Sequence, residues 1–281
     1  MRWLFSITLW AIPPALLAET AAPSPQWFQQ YRQGVETMLT EPDKNTVGAV
    51  RFAVGNDIWQ PGKQFRNGND WLALVCGNKG CAFAPAALRV RNKPWQGHYD
   101  DTPTFGQQLS FTLKKTPEGE AWAVAWFNTK AAPKWLKPGA VASYPQSSDA
   151  ETLASTIHLP DGESAKLVPM LLTAEQAAQW GYEGRPPSFL LQLRAEGKRQ
   201  LLPGELGICS HEIDLNYLLW AGDMDRDGKA DYLVSYLDAD GPIHLYLSSL
   251  RKTGQLVGLA GVSDSSPYGG ECDGEGWFGG D

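Results

Sequence analysis

Short apolar runs, broken at close intervals by glycine or proline, are what most limits the folds open to this chain. VGAVRFAV (47–54), DWLALVCG (70–77), CAFAPAALRVR (81–91), QLSFTLKKT (108–116) and EAWAVAWFNTK (120–130) follow one another in the first half. Runs near 188–195, 213–220, 232–237 and 243–249 repeat the pattern in the second. Runs this short, bounded by turn residues, are strand signals. Leu109, Phe111 and Leu113 alternate with polar neighbours, the period of a strand with one buried face. Pro117-Glu118-Gly119 predicts a hairpin joining the fourth run to the fifth, and Pro160-Asp161-Gly162 predicts another within 155–172. The 20 prolines and 29 glycines fit many turns and few long helices. The expected fold is mainly β, an α+β chain with few short helices and antiparallel sheets.

Two helices are expected. In QWFQQYRQGVETMLTE (26–41), Trp27, Phe28, Tyr31, Val35, Met38 and Leu39 share one helical face. Thr173-Ala174-Glu175-Gln176 forms a capping box for a short helix to Trp180. KPGAVASYPQSSDA (137–150) reads as a linker, being rich in Pro, Ser and Gly. It would divide a β-rich domain at 23–140 from a second at 150–281.

Residues 1–22 carry Arg2, an apolar stretch from Trp3 to Leu17 and small residues at Ala18, Ala21 and Ala22. This is the layout of a secretory signal peptide, and it implies a periplasmic or secreted product. A membrane anchor is the rival reading; the stretch is short for a span, and Pro13-Pro14 interrupts it. No other stretch is apolar enough to cross a bilayer. The net charge is −7 with no lysine or arginine run, which argues against a nucleic-acid partner. Four cysteines in an exported chain allow three pairings. Joining neighbours would link Cys76 with Cys81 and Cys209 with Cys272; a zinc site is the less favoured alternative.

The densest chemistry lies in AGDMDRDGKADYLVSY (221–236). Counting from Asp223, carboxylates fall at positions 1, 3, 5 and 9 (Asp223, Asp225, Asp227, Asp231), with Gly228 at position 6. Side chains at 1, 3 and 5 can face one cavity when the chain curls, and the glycine permits the bend. The Lys229 carbonyl at position 7 can add an oxygen, and Asp231 closes the site. About six hard oxygens at ~2.4 Å suit Ca²⁺. Position 12 is Val234 rather than a glutamate, and the flanks read as strands, so this is not an EF-hand. The pattern resembles the calcium loops of FG-GAP repeats, as in integrin alpha-subunit propellers, over about 20 residues. The resemblance implies a calcium site made by Asp223, Asp225, Asp227, Asp231 and the Lys229 carbonyl. A propeller needs several such loops and this chain has one, so the fold is not expected to be a propeller. Asp238 and Asp240 lie beyond the following strand and read as its far turn.

No nucleophile or acid–base motif stands out. His158 and His244 read as surface or satisfied sheet residues, and His98 lies in a polar loop. In Ser210-His211-Glu212 adjacent side chains point to opposite faces of a strand and cannot form a triad. Trp71, Trp122 and Trp126 are expected in the core; Trp59, Trp95, Trp135 and Trp277 flank Pro or Gly in loops. These features favour a non-enzymatic, calcium-binding protein of the bacterial envelope that binds another protein. An inhibitor or immunity protein is one form of that reading, because an acidic surface steers a basic cell-wall-acting toxin. The alternatives are a calcium-dependent envelope hydrolase and a carbohydrate-binding or adhesive module.

Overall fold

Three segments of alternating side chains, each buried on both faces, set the architecture. In Gly68–Gly77 (β3), Leu72, Leu74 and Cys76 enter one core while Trp71, Ala73 and Val75 enter another. Such a strand needs layers on both sides, which is why DWLALVCG is continuously apolar rather than alternating. In Asp231–Ser235 (β14), Leu233 faces the first core and Tyr232 and Val234 a third. Pro242–Leu247 (β15) behaves alike: Ile243, Leu245 and Leu247 point one way and Tyr246 the other.

These strands belong to a computed structural model that describes residues 50–56, 58–61, 65–94, 105–115, 120–130, 132–149, 151–171, 189–206, 217–236 and 242–264, with positions 33, 173 and 175 besides. Every strand pairing among them is antiparallel. The mainly β, antiparallel expectation holds, and the sheets form no propeller. The larger sheet has 11 strands. Its path begins at Phe52–Ala53 (β1) and passes through Ala121–Asn128 (β6), β3, Gly80–Asn92 (β4) and Gly139–Ser143 (β7). It continues through Leu218–Asp223 (β13), β14 and β15 to Gly258–Asp264 (β16). Gly106–Leu113 (β5) pairs with the outer part of β4, and Ile58–Pro61 (β2) pairs with β5.

The two ends of this path meet. The Val50 N–H donates to the Ala260 carbonyl at 2.7 Å, so the sheet curls into a nearly closed barrel. The barrel is filled by Phe52, Leu74, Phe83, Phe127, Trp220, Leu233 and Leu245, among others. The seam requires Gly261, since a Cβ there would lie 2.2 Å from the Val50 carbonyl oxygen. We expect Gly261→Ala to cost about 2 kcal/mol and to speed hydrogen exchange at the Val50 amide. An unchanged melting midpoint and exchange rate would show that the seam contributes nothing.

The second sheet has five strands in the order Lys198–Leu206 (β12), Phe189–Ala195 (β11), Ser164–Leu171 (β10), Ala154–His158 (β9) and Gln146–Asp149 (β8). Its Ile157, Leu167, Leu191 and Leu193 cover the outer face of β13 to β16. The Tyr217 hydroxyl stands between the layers. It accepts from Ser155 N–H and lies 3.0 and 2.9 Å from the Leu153 and Leu167 carbonyls.

Three expectations change. The segment 137–150 is not a linker: it supplies β7, which hydrogen-bonds to β4 and to β13, and β8, which edges the second sheet. One sheet therefore runs through residues on both sides of that boundary. Pro117-Glu118-Gly119 does not join a hairpin, because β5 pairs with β4 and β2 while β6 pairs with β3 and β1. Trp122 is 61% exposed, whereas Trp71 and Trp126 are buried. The predicted turn at Pro160-Asp161-Gly162 does join β9 to β10. Cys76 and Cys81 face each other across β3 and β4 as a disulfide, with Cα atoms 4.1 Å apart. The N-terminal segment 1–22, Cys209, Cys272, His98, His211, Trp95, Trp277, Asp238 and Asp240 lie outside the described residues. So do the two expected helices, apart from Gln33, Thr173 and Glu175, and the side chain of Trp59. No helix among the described residues is long and apolar enough to cross a membrane.

Candidate metal centre

The acidic loop caps the hairpin of β13 and β14, whose register ends at Gly222 opposite Asp231. Its winding follows from aspartate chemistry. Asp225 Oδ1 accepts the Asp227 N–H at 3.2 Å and Asp227 Oδ1 accepts the Lys229 N–H at 2.9 Å, two successive turns closed by side chains. Asp223 Oδ2 accepts the Gly228 N–H at 3.1 Å. Arg226 and Gly228 both take positive φ, 65° and 82°, the second at no steric cost. The Arg226 guanidinium then ties the loop to β7 and the segment before it, donating to the Trp135, Ala140 and Lys137 carbonyls at 2.8, 3.3 and 3.4 Å.

The result brings Asp223, Asp225 and Asp227 together, with one carboxylate oxygen from each lying within 4.8 Å of the others. Asp223 Oδ1 is buried and has no hydrogen-bond partner. A buried carboxylate oxygen left without a donor is costly, and a cation is the partner this donor set fits. All three ligands are hard oxygens, which suits calcium or magnesium rather than a soft metal.

Asp231 is not part of that group. It is fully buried, and both of its oxygens are taken by backbone donors. Oδ2 accepts the Met224 and Asp225 N–H groups at 2.7 and 3.2 Å, and Oδ1 accepts Ser248 N–H at 2.8 Å. Burial, with the Asp225 charge adding to it, pushes its pKa up to about 8, against the pull of those three donors. Asp225 is raised as well, by burial first and then by Asp227 and Asp223. Burial, followed by Asp223, Asp231 and Asp227, also raises the Tyr144 hydroxyl. Burial is the first cause of each of these shifts, and the neighbouring carboxylates add to it.

Serines invisible to any loop motif complete the surroundings. The short 3-10 turn Ser248–Leu250 follows β15 and places the Ser248 hydroxyl 2.8 Å from Asp227 Oδ1. The Ser249 hydroxyl donates to Asp225 Oδ2. Arg251 stands 4.0 Å from Asp227 Oδ2. The Lys229 ammonium reaches Glu196 at 3.3 Å, on the turn between β11 and β12, and holds that carboxyl below its usual range. The loop thus touches the barrel, the second sheet and the 3-10 turn at once.

Elsewhere, His244 is fully buried, with Nδ1 3.0 Å from the Tyr246 hydroxyl, itself 2.7 Å from that of Tyr236. It is a satisfied sheet residue. His158 is exposed, 3.5 Å from the Ser147 hydroxyl. Trp135 is half-buried against the barrel core. No protein family, curated protein or solved structure matches this chain.

Proposed function

We propose that the chain is an exported, non-enzymatic calcium-binding protein of the bacterial envelope, and that it binds another protein there. The observation that carries the reading is the cluster of Asp223, Asp225 and Asp227 oxygens with Asp223 Oδ1 buried and unpartnered. Asp223, Asp225 and Asp227 would hold the ion, with the Lys229 carbonyl as a further oxygen the loop pattern assigns. Bound Ca²⁺ supplies positive charge that offsets the carboxylates. The loop's own role is to keep those carboxylates converged and to fix the hairpin against the 3-10 turn.

The apolar N-terminal segment supports export, and the Cys76–Cys81 disulfide suits an oxidising compartment. The net charge of −7 favours a basic partner, and a cell-wall-acting enzyme is the class we assign. In that form the protein is an inhibitor or immunity protein. Immobilised protein, exposed to envelope extract with calcium, should retain a basic wall hydrolase and suppress its activity on isolated wall. Retention of no such enzyme, or retention without inhibition, contradicts the partner assignment and leaves the calcium site to be judged separately.

A further inference from the structure

The charge of this acidic chain is not evenly spread. Residues 80–94 and 105–115, which make β4, β5 and their extensions, contain Arg89, Arg91, Lys93, Lys114 and Lys115 and no Asp or Glu. The outer part of β4 runs past the barrel and pairs with β5: Ala87 faces Thr112, Arg89 faces Ser110 and Arg91 faces Gln108. Leu88 and Val90 alternate with the arginines and pack into a core with Leu109 and Phe111. That core fixes the opposite face outward, so Arg89, Arg91, Thr112 and Lys114 are all exposed. Among the described residues no carboxylate pairs with Arg89, Arg91 or Lys114.

Two residues of strand advance about 7 Å, so Arg89 and Arg91 present guanidinium groups at a regular step along β4. Each guanidinium is a planar fork suited to a carboxylate, sulfate or phosphate group. Beside them on β5 runs a parallel row of amide and hydroxyl groups, Gln108, Ser110 and Thr112. A row of cations beside a row of neutral hydrogen-bonding groups matches a chain that alternates anionic groups with hydroxyls. Among the described side chains of β4 and β5, the apolar ones on this face are Pro85 and Ala87. We infer that the outer β4–β5 face is a docking surface for a linear anionic polysaccharide. The anionic groups lie on Arg89 and Arg91, with Lys114 at one end of the row, and the sugar hydroxyls lie on Gln108 and Thr112. This surface is separate from the acidic loop and does not depend on the ion.

The test uses the full chain on immobilised dextran sulfate and on neutral dextran, at low and at 0.5 M salt. Wild type should bind dextran sulfate at low salt, lose it at high salt and ignore neutral dextran. The double variant Arg89→Ser/Arg91→Ser should bind at least tenfold more weakly, and Lys114→Ser a few-fold more weakly. The control Arg199→Ser/Lys252→Ser, which removes the same charge at exposed positions elsewhere, should stay within twofold of wild type. All substituted positions are exposed, and an unchanged melting midpoint confirms that each variant is folded. No low-salt binding, an equal loss in the control, or tighter retention on phosphatidylglycerol vesicles or single-stranded DNA than on dextran sulfate each overturns the inference.

Discussion

Asp231→Ala lowers the stability of the protein by about 4 kcal/mol, or prevents folding altogether. The residue is fully buried, and its two oxygens accept three backbone N–H groups, from Met224, Asp225 and Ser248. Truncation leaves all three donors without an acceptor at a fully buried position. A buried unsatisfied donor costs roughly 1–3 kcal/mol, and one admitted water would recover part of the total. The loss also detaches the 3-10 turn, because Ser248 N–H is one of the three. Asp231→Asn keeps one acceptor oxygen and should fall between wild type and the alanine variant. Urea unfolding followed by tryptophan fluorescence reads the difference; a cost below 1 kcal/mol for Asp231→Ala would mean that these bonds do not organise the loop.

Without a divalent ion, stability falls as pH rises from about 5 to 8. Asp231 has its pKa raised to about 8 in the folded protein, while an unfolded aspartate titrates near 3.9. The folded state therefore holds a proton that the unfolded state has released. The associated stability is complete below the unfolded pKa and is lost as pH climbs through the folded one, with a slope of at most about 1.4 kcal/mol per pH unit. Asp225, also raised, adds in the same direction. Calcium reverses the sense, because ion capture favours the deprotonated carboxylates and its stabilisation grows with pH. Chemical denaturation at pH 5, 6, 7 and 8 should give a falling series in EDTA and a flat or rising one in millimolar calcium. Asp231→Asn in EDTA should fall much less steeply, with Asp225 left to drive the remainder. A wild-type series that is flat in EDTA would remove Asp231 as the source.

How much of this was legible depends on whether the deciding contact is local. The runs at 70–77, 232–237 and 243–249 emerge within a few residues of β3, β14 and β15, because strands buried on both faces must be apolar throughout, and the run at 81–91 emerges as β4, which alternates buried and exposed positions. β12 was missed because Lys198, Arg199 and Gln200 look like loop, yet Gln200 caps the chain at Leu256 and Val257 with its side-chain oxygen. β16 was missed because GLAGVSD is glycine-rich, and its two glycines answer to distant contacts, Gly258 to the Leu250 carbonyl and Gly261 to that of Val50. The false hairpin at 117–119 shows the limit of turn chemistry: a turn signal says that the chain bends, not which strand it meets next. Trp122 failed for a related reason. An apolar strand predicts burial, but burial is decided by what covers each face.

The candidate site divides in the same way. Asp223, Asp225 and Asp227 are close in sequence and meet through their own short turns, so their convergence was readable. The placing of Asp231 was not, since the loop pattern makes it a fourth ligand while the structure gives its oxygens to N–H groups seven and 17 residues away, among others. Ser248, Ser249 and Arg251 carry no motif and reach the loop only because β15 folds back along β14.

Calcium titration of the EDTA-stripped protein by calorimetry, in wild type and in the Asp223→Asn/Asp225→Asn/Asp227→Asn variant, bears most directly on the central claim. The account predicts one site per chain in wild type, a melting midpoint raised by several degrees at saturating calcium, and loss of both in the variant. No heat and no shift in millimolar calcium, or a variant that still binds as wild type does, would show that these three carboxylates are not a calcium site.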